Sequence, residues 1–163
     1  MKKLLFLLIA LISISFISCS KDDNVTDSKT KVDPWVGTWI SADANVAPIL
    51  VALFKYDSVR VTMNADKTIQ LDSHIKDGAW SSTPGVYTVT KSASGNVHSI
   101  SINYTAFEQE GIFEVITGTP DQMKLEAVQT VPDIGAVPRT PATGFGSDPG
   151  LGAYNIQTYV RVK

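Results

Sequence analysis

The sequence predicts one small all-β domain built from short antiparallel strands. Apolar residues recur at every second position through much of the chain beyond residue 34, which is typical of strands with one buried and one solvated face. Turn residues separate these segments at short, regular intervals, as they do in antiparallel barrels and sandwiches. The chain has 163 residues, 44% of them hydrophobic, and this suits a single domain with a substantial core.

Ordered structure is expected to begin near Pro34, and several alternating segments follow it. They are Val59–Met63, Ile69–Leu71, Val86–Thr90, Ile100–Tyr104, Phe113–Val115, Met123–Ala127 and Tyr154–Arg161. In the last segment we expect Tyr154, Ile156, Thr158 and Val160 to share one face, with Gln157 and Arg161 on the other. The pattern predicts an antiparallel barrel or a sandwich, and periodicity alone does not separate the two.

Two segments depart from the strand pattern. The apolar run Ile49–Phe54 follows Pro48, and it is compatible with a helical turn or with a strand buried on both faces. Residues 131–152 contain four prolines and five glycines. This segment is longer than the roughly 12–15 residues of an ordinary connection, and such loops are usually functional or disordered.

Charge and cysteine content exclude nucleic-acid binding and an intramolecular disulfide. The formal net charge is −2 and the basic residues do not cluster, so the chain lacks the positive stripe that nucleic-acid binding requires. Cys19 is the only cysteine, and an intramolecular disulfide is therefore impossible.

The first 18 residues have the three-part form of an export signal. Lys2 and Lys3 precede the charge-free stretch Leu4 to Ile17, which is followed by Ser18. As a helix this stretch would be roughly 21 Å long, short of the ~30 Å hydrocarbon core of a bilayer. It is therefore predicted to be a signal peptide rather than a membrane anchor.

The segment Phe16-Ile17-Ser18-Cys19 resembles the lipobox of bacterial lipoproteins, with Ser18 and Cys19 at the expected places. The resemblance implies cleavage before Cys19, lipidation of its thiol, and a membrane as the partner of that lipid. Residues 19–33 are predicted to form a disordered tether. The segment Ser20–Asn24 resembles the acidic tether of surface-exposed lipoproteins of Bacteroidota, which implies an outer-membrane protein displayed at the cell surface.

The triplet Gly37-Thr38-Trp39 resembles the Gly-x-Trp signature of the first strand of lipocalins, and Gly85-Val86-Tyr87 also resembles a strand of that class. The resemblance covers roughly residues 35–131 and the last strand. It implies that residues 34–163 form an up-and-down barrel of about eight strands that binds a small hydrophobic molecule. It also implies structural roles for Gly37, Trp39 and Arg161, with the arginine over the tryptophan ring in a contact worth about 0.5–2 kcal/mol.

No catalytic or metal-binding constellation is recognisable in the sequence. His74 and His98 are the only histidines and lack the close ligand spacing of a zinc site, so we expect no metal and no cofactor. A glycosidase would need two facing carboxylates. Glu108 and Glu110 would share one face of a strand, but we expect Phe107–Gly111 to be a hairpin turn. An enzyme is therefore not expected.

Aromatic residues are the remaining candidates for binding. Trp80, Tyr87, Tyr104 and Phe113 lie on or beside predicted strands, where inward rings either fill a small barrel or contact an apolar ligand. The leading hypothesis is a barrel that binds a small hydrophobic ligand. The alternative is a filled barrel or sandwich whose loop 131–152 contacts a protein or glycan at the surface.

Overall fold

A computed structural model describes residues 31–162, and in it the chain forms a closed barrel of eight strands. The strands are β1 (Gly37–Ala42), β2 (Tyr56–Met63), β3 (Thr68–Ile75), β4 (Trp80–Thr90), β5 (His98–Asn103), β6 (Glu108–Ile116), β7 (Gln122–Val131) and β8 (Gln157–Arg161). One helix, α1 (Pro48–Phe54), and two 3₁₀ turns, Asp43–Asn45 and Gly152–Asn155, complete the described elements.

Every strand pairs with its sequence neighbours in antiparallel fashion, and β8 pairs with β1 to close the barrel. The prediction of an all-β, up-and-down, eight-stranded barrel is therefore confirmed, and the sandwich is excluded. In this topology alternate connections lie at opposite ends. The helix α1, the β3–β4 and β5–β6 turns and the loop after β7 are at one end, and the other turns are at the opposite end.

The core lies inside the barrel and follows the period-two pattern of the sequence. Val59, Val61 and Met63 on β2 are buried, as are Ile100 and Ile102 on β5. Residues between them face outward, because successive side chains of a strand point to opposite faces.

Trp39 and Arg161 pack together at the end of the barrel opposite to α1. Trp39 is completely buried, and the guanidinium carbon of Arg161 lies 4.1 Å from the centre of its ring. The Trp39 Nε1–H donates to the carbonyl oxygen of Trp35 at 2.9 Å. Gly37 has a φ of +140°, and a Cβ at this position would collide with the Arg161 guanidinium. The glycine of the Gly-x-Trp triplet thus makes room for the arginine that covers the tryptophan.

Arg161 also fixes the chain on either side of this packing. Its Nη1 donates to the carbonyl oxygen of Val36 at 2.9 Å, and its Nη2 donates to that of Pro34. Its Nε donates to Asp121 Oδ2 at 3.0 Å. The backbone N–H of Gly118, and secondly Arg161, lower the pKa of Asp121. We call Trp35, Trp39, Tyr87 and Arg161 the closed end of the barrel.

The segment Ile49–Phe54 is helical rather than a buried strand, which settles the choice that periodicity left open. Pro48 is the first residue of α1, where a missing N–H costs nothing. Lys55 ends the helix in the left-handed conformation, with φ of 61°, and its N–H bonds the carbonyl oxygen of Val51. The helix lies across one end of the barrel, where Ile49, Leu50 and Leu53 form part of the wall of an interior cavity.

The loop 131–152 is folded against the barrel. Ile112 and Glu126 are paired across β6 and β7, and both are buried. The backbone N–H of Gly146 donates to Glu126 Oε2 at 2.7 Å, and the Lys124 ammonium lies 4.3 Å from the ring centre of Phe145. The loop therefore covers part of the outer surface of β6 and β7.

Three local predictions were wrong. In β8 it is Gln157 and Tyr159 that are buried, whereas Tyr154 lies in a 3₁₀ turn before the strand. Strand β4 begins at Trp80, before Pro84, rather than at Val86. Glu108 and Gly111 belong to β6, so Phe107–Gly111 is not a hairpin turn. In each case the pairing with neighbouring strands decides the boundary, and the single-strand pattern does not contain that information.

The predicted signal peptide 1–18, the lipidated Cys19 and most of the predicted tether lie outside the described residues. The described residues from Val32 onward form one compact unit. Asp33, which the sequence assigned to the tether, accepts hydrogen bonds from Lys91 at 2.8 Å and Lys67 at 3.5 Å. Within residues 31–162, no helix is both long and apolar enough to cross a bilayer.

Candidate functional site

The candidate site is a cavity of about 450 Å³ inside the barrel. Its wall consists of inward side chains from β2, β3 and β5–β8, with α1 and the loop after β7 at one end. Typical lining residues are Val61, Leu71, Ile102, Met123 and Leu125. The volume falls within the ~300–1,000 Å³ of ligand-binding pockets.

The cavity opens at the end of the barrel that carries α1. Leu53, Phe54 and Ile134 belong to the lining and are nevertheless exposed, at 67%, 51% and 63% of their surface. We call these three residues the mouth. Exposed apolar side chains around a concave site are typical of a surface that binds another molecule.

Three buried residues bring polar groups to this wall. They are Tyr104, which follows β5, and Gln157 and Tyr159 on β8. Burial raises the pKa of the Tyr104 hydroxyl well above its ordinary value of 10. Burial, and secondly the nearby Tyr104, raise that of Tyr159 as well. Both phenols are therefore neutral hydrogen-bonding groups at any physiological pH.

Two of the four aromatic residues singled out in the sequence line the cavity. Tyr104 and Phe113 contribute to the wall, and the Phe113 ring also packs edge-on against Trp35, with ring centres 5.5 Å apart. The other two, Trp80 and Tyr87, do not line it.

Tyr87 belongs to the closed end. It is 1% exposed, and its hydroxyl donates to the carbonyl oxygen of Asn64 at 2.8 Å. Its packing at the closed end accounts for its burial, so no ligand is needed to explain it.

Trp80 lies on the outer surface and is 43% exposed. The Arg60 guanidinium carbon is 4.9 Å from its ring centre, and the His74 ring is 5.1 Å away. Trp80 and Tyr87 are an odd number of residues apart on one strand, so they face opposite sides of the sheet.

The two histidines are engaged in separate parts of the barrel. His74 Nδ1 lies 2.6 Å from Asp57 Oδ1 on the outer surface. The His98 ring packs edge-on against Trp35 and Phe113, at 5.6 and 5.7 Å. Among residues 31–162 no group of three potential metal ligands comes together.

Neither Gln157 nor any residue of α1 was predicted from the sequence to belong to the site. The alternation in β2 and β5 could have located Met63 and Ile102, because those strands have a clear inward face. Gln157 carries no such signal, since a polar residue in an alternating segment is normally assigned to the solvated face.

Comparison with protein-family models, with curated proteins and with solved structures found no match for this chain.

Proposed function

We propose that this chain is a lipid-anchored protein of the outer membrane, displayed at the cell surface, whose barrel binds a small hydrophobic molecule in its interior. The observation that carries the binding function is the cavity of about 450 Å³ inside the barrel. Transfer of apolar surface from water into such a space is favourable. The exposed mouth gives a ligand a route to it.

Two further features support a lipocalin-like mode of binding. Gly37, Trp39 and Arg161 occupy one end in the arrangement that the resemblance implies. Tyr104 and Phe113 lie on the cavity wall. The closed end acts as a fixed base, and the opposite end admits the ligand.

Binding is tested with N-phenyl-1-naphthylamine, a neutral fluorophore that brightens in apolar surroundings. We expect saturable binding to the full chain. Leu71→Trp should abolish it, because Leu71 lines the cavity and the larger ring would occupy the ligand's space. The matched control is Val86→Trp, since Val86 is on the adjacent strand, is 55% exposed and does not line the cavity.

Circular dichroism and thermal melting of both variants report whether the barrel is intact. Leu125→Phe, a smaller intrusion into the same cavity, should weaken binding in a folded protein if Leu71→Trp does not fold. Equal binding by the Leu125→Phe and Val86→Trp proteins would contradict a cavity site.

The proposed anchor at Cys19 is tested separately. Cells fed an alkyne-tagged fatty acid should label the protein, and Cys19→Ser should remove the label. Ser20→Ala is the control, because it changes the neighbouring residue and leaves the thiol. Labelling that survives Cys19→Ser would exclude this anchor, and protease treatment of intact cells would show whether the labelled protein is at the surface.

A second candidate function is binding of a surface protein or glycan through loop 131–152. It is favoured by Val137, which is 63% exposed and does not line the cavity. If the barrel acts through this loop, Val137→Asp should abolish binding of the partner and leave binding of the fluorophore unchanged. A cavity binder would show the reverse dependence, with Leu71→Trp alone affecting its ligand.

A further inference from the structure

The cavity combines an apolar wall with a small buried polar group. Tyr104, Gln157 and Tyr159 are 2%, 4% and 3% exposed and all three line it. The other polar residues of the lining, such as Gln129 and Asn155, are only partly buried. The amide groups of Gln129 and Asn155 already donate to the carbonyl oxygens of Pro132 and Ala127.

The Gln157 side chain has a defined orientation. Its Oε1 accepts a hydrogen bond from the Ala47 N–H at 3.3 Å. A flipped amide would set two donors against each other, so this contact fixes which end of the amide is Nε2. The Nε2 group is buried and has no hydrogen-bond partner among the described residues. An unpaired buried donor costs about 1–3 kcal/mol, and an acceptor oxygen from a ligand would reduce that cost.

Tyr159 lies two residues beyond Gln157 on β8, so both side chains point inward. Tyr104, which follows β5, is buried and lines the same cavity. Burial is the main cause of the raised pKa of each phenol, and both residues belong to the cavity wall. The phenols therefore remain available as donors and acceptors to a molecule in the cavity.

The same burial disfavours a charged ligand. Among the described residues that line the cavity, none is Asp, Glu, Lys, Arg or His. An ion placed there would lose its hydration and gain no counter-ion, which is costly in an apolar environment. A neutral oxygen pays a much smaller cost and is compensated by two phenols and an amide.

We infer that the ligand is a neutral lipid-like molecule whose single hydroxyl or carbonyl oxygen hydrogen-bonds Tyr104, Gln157 and Tyr159, while its apolar part fills the cavity toward the closed end. This inference rests on the proposed function, since it specifies the ligand of the same cavity. Fatty-acid anions and alkylammonium ions are excluded from the ligand class.

The test is displacement of N-phenyl-1-naphthylamine from the full chain at pH 8 by three probes of one chain length: decan-1-ol, decanoate and decylammonium. Decan-1-ol should displace the fluorophore at a concentration at least about tenfold lower than either ion, because only the ions must be desolvated without a partner. Decanoate or decylammonium that competes as well as decan-1-ol overturns the inference.

Tyr104→Phe and Tyr159→Phe remove only the hydroxyls. Each should weaken decan-1-ol about two- to tenfold, as expected for one lost hydrogen bond, and change fluorophore affinity less than twofold. Tyr154→Phe is the matched control, because Tyr154 is 60% exposed and is not part of the lining. If both buried variants bind decan-1-ol like the control, the polar group does not recognise the ligand. If the unaltered protein binds no fluorophore, the proposed function fails, and that outcome is distinct from a wrong order among the three probes.

Discussion

The two ends of the barrel are built on opposite principles. At the closed end, Trp39 is completely buried and Arg161 covers it while bonding Pro34, Val36 and Asp121. At the mouth, Leu53, Phe54 and Ile134 are apolar and more than half exposed. The closed end buries its aromatic rings away from water, whereas the mouth leaves apolar side chains in contact with water.

This difference separates stability from binding. Residues with many fixed partners contribute mainly to the free energy of unfolding, and exposed apolar residues contribute little to it. An exposed apolar residue can still increase the affinity for a ligand, because it loses contact with water when the ligand covers it. Substitutions at the closed end should therefore change stability with little effect on affinity, and those at the mouth should do the reverse.

The largest effect is expected from Trp39→Ala. Truncation of a fully buried tryptophan removes its packing and leaves a cavity, which lowers the free energy of unfolding by about 3–5 kcal/mol. Chemical denaturation measures this loss. Trp80→Ala is the control, since Trp80 is 43% exposed on the outer surface, and its effect should be much smaller. Similar losses in the two variants would show that Trp39 has no special role in the closed end.

An intermediate effect is expected from Leu53→Ser at the mouth. Leu53 is 67% exposed, so its loss should change the free energy of unfolding by no more than about 0.5 kcal/mol. The affinity for N-phenyl-1-naphthylamine should fall about three- to tenfold, because a ligand entering the cavity would cover this side chain. Fluorescence titration and denaturation of the same variant give the two numbers. Val51→Ser, also on α1, 42% exposed and outside the lining, should leave affinity unchanged. A fall in stability with unchanged affinity would reverse the assignment of this end.

The smallest effect is expected from Asp33→Asn, beside the closed end. The hydrogen bond from Lys91, and further contributions from Lys91 and Lys67, lower the pKa of Asp33. A carboxyl with a lowered pKa stabilises the fold above its unfolded-state pKa of about 4, and the contribution is lost as the pH falls through the lower folded-state value.

The Asp33→Asn protein should thus be less stable at pH 7, by less than about 1 kcal/mol because the ion pairs are partly exposed. Below pH 4 its stability should depend less on pH than that of the unaltered protein. Denaturation at pH 7 and at pH 3 measures both effects. Asp133→Asn, in the exposed part of the loop, is the control, and parallel pH curves for all three proteins would contradict a role for the Asp33 ion pairs.

The fold was accessible from the sequence because local pattern and global fold agree through most of it. Val59, Val61 and Met63 face the core as their alternation predicts. Period-two alternation shows only which residues share a face of a strand. Pairing with the neighbouring strands decides whether that face points into or out of the barrel. In β8 the apolar-looking set was assigned to the wrong face, and Gln157, the residue with the unpaired amide, was lost from the predicted site as a result.

The candidate site was only partly accessible. Tyr104 and Phe113 were predicted as aromatic residues on or beside strands of a barrel, and both lie on the cavity wall. Trp80 was indistinguishable from them in the sequence, because the early start of β4 was not recognised. The role of α1 at the mouth depends on packing across the end of the barrel, and a short apolar run contains no information on what it will cover.

The seam between β1 and β8 has a consequence for association between molecules. Only Trp39 with Arg161 and Ile40 with Val160 are registered across it, fewer pairs than at any other junction of the described barrel. A closed barrel has no free strand edges, and free edges are what allow sheets of different molecules to join. The Arg161 side chain spans this seam by bonding Val36, so the residue that shields a tryptophan also holds two potential edges together. Amide hydrogen exchange should be fastest here among the strand junctions, and loosening of this seam would be the first step toward edge-to-edge aggregation.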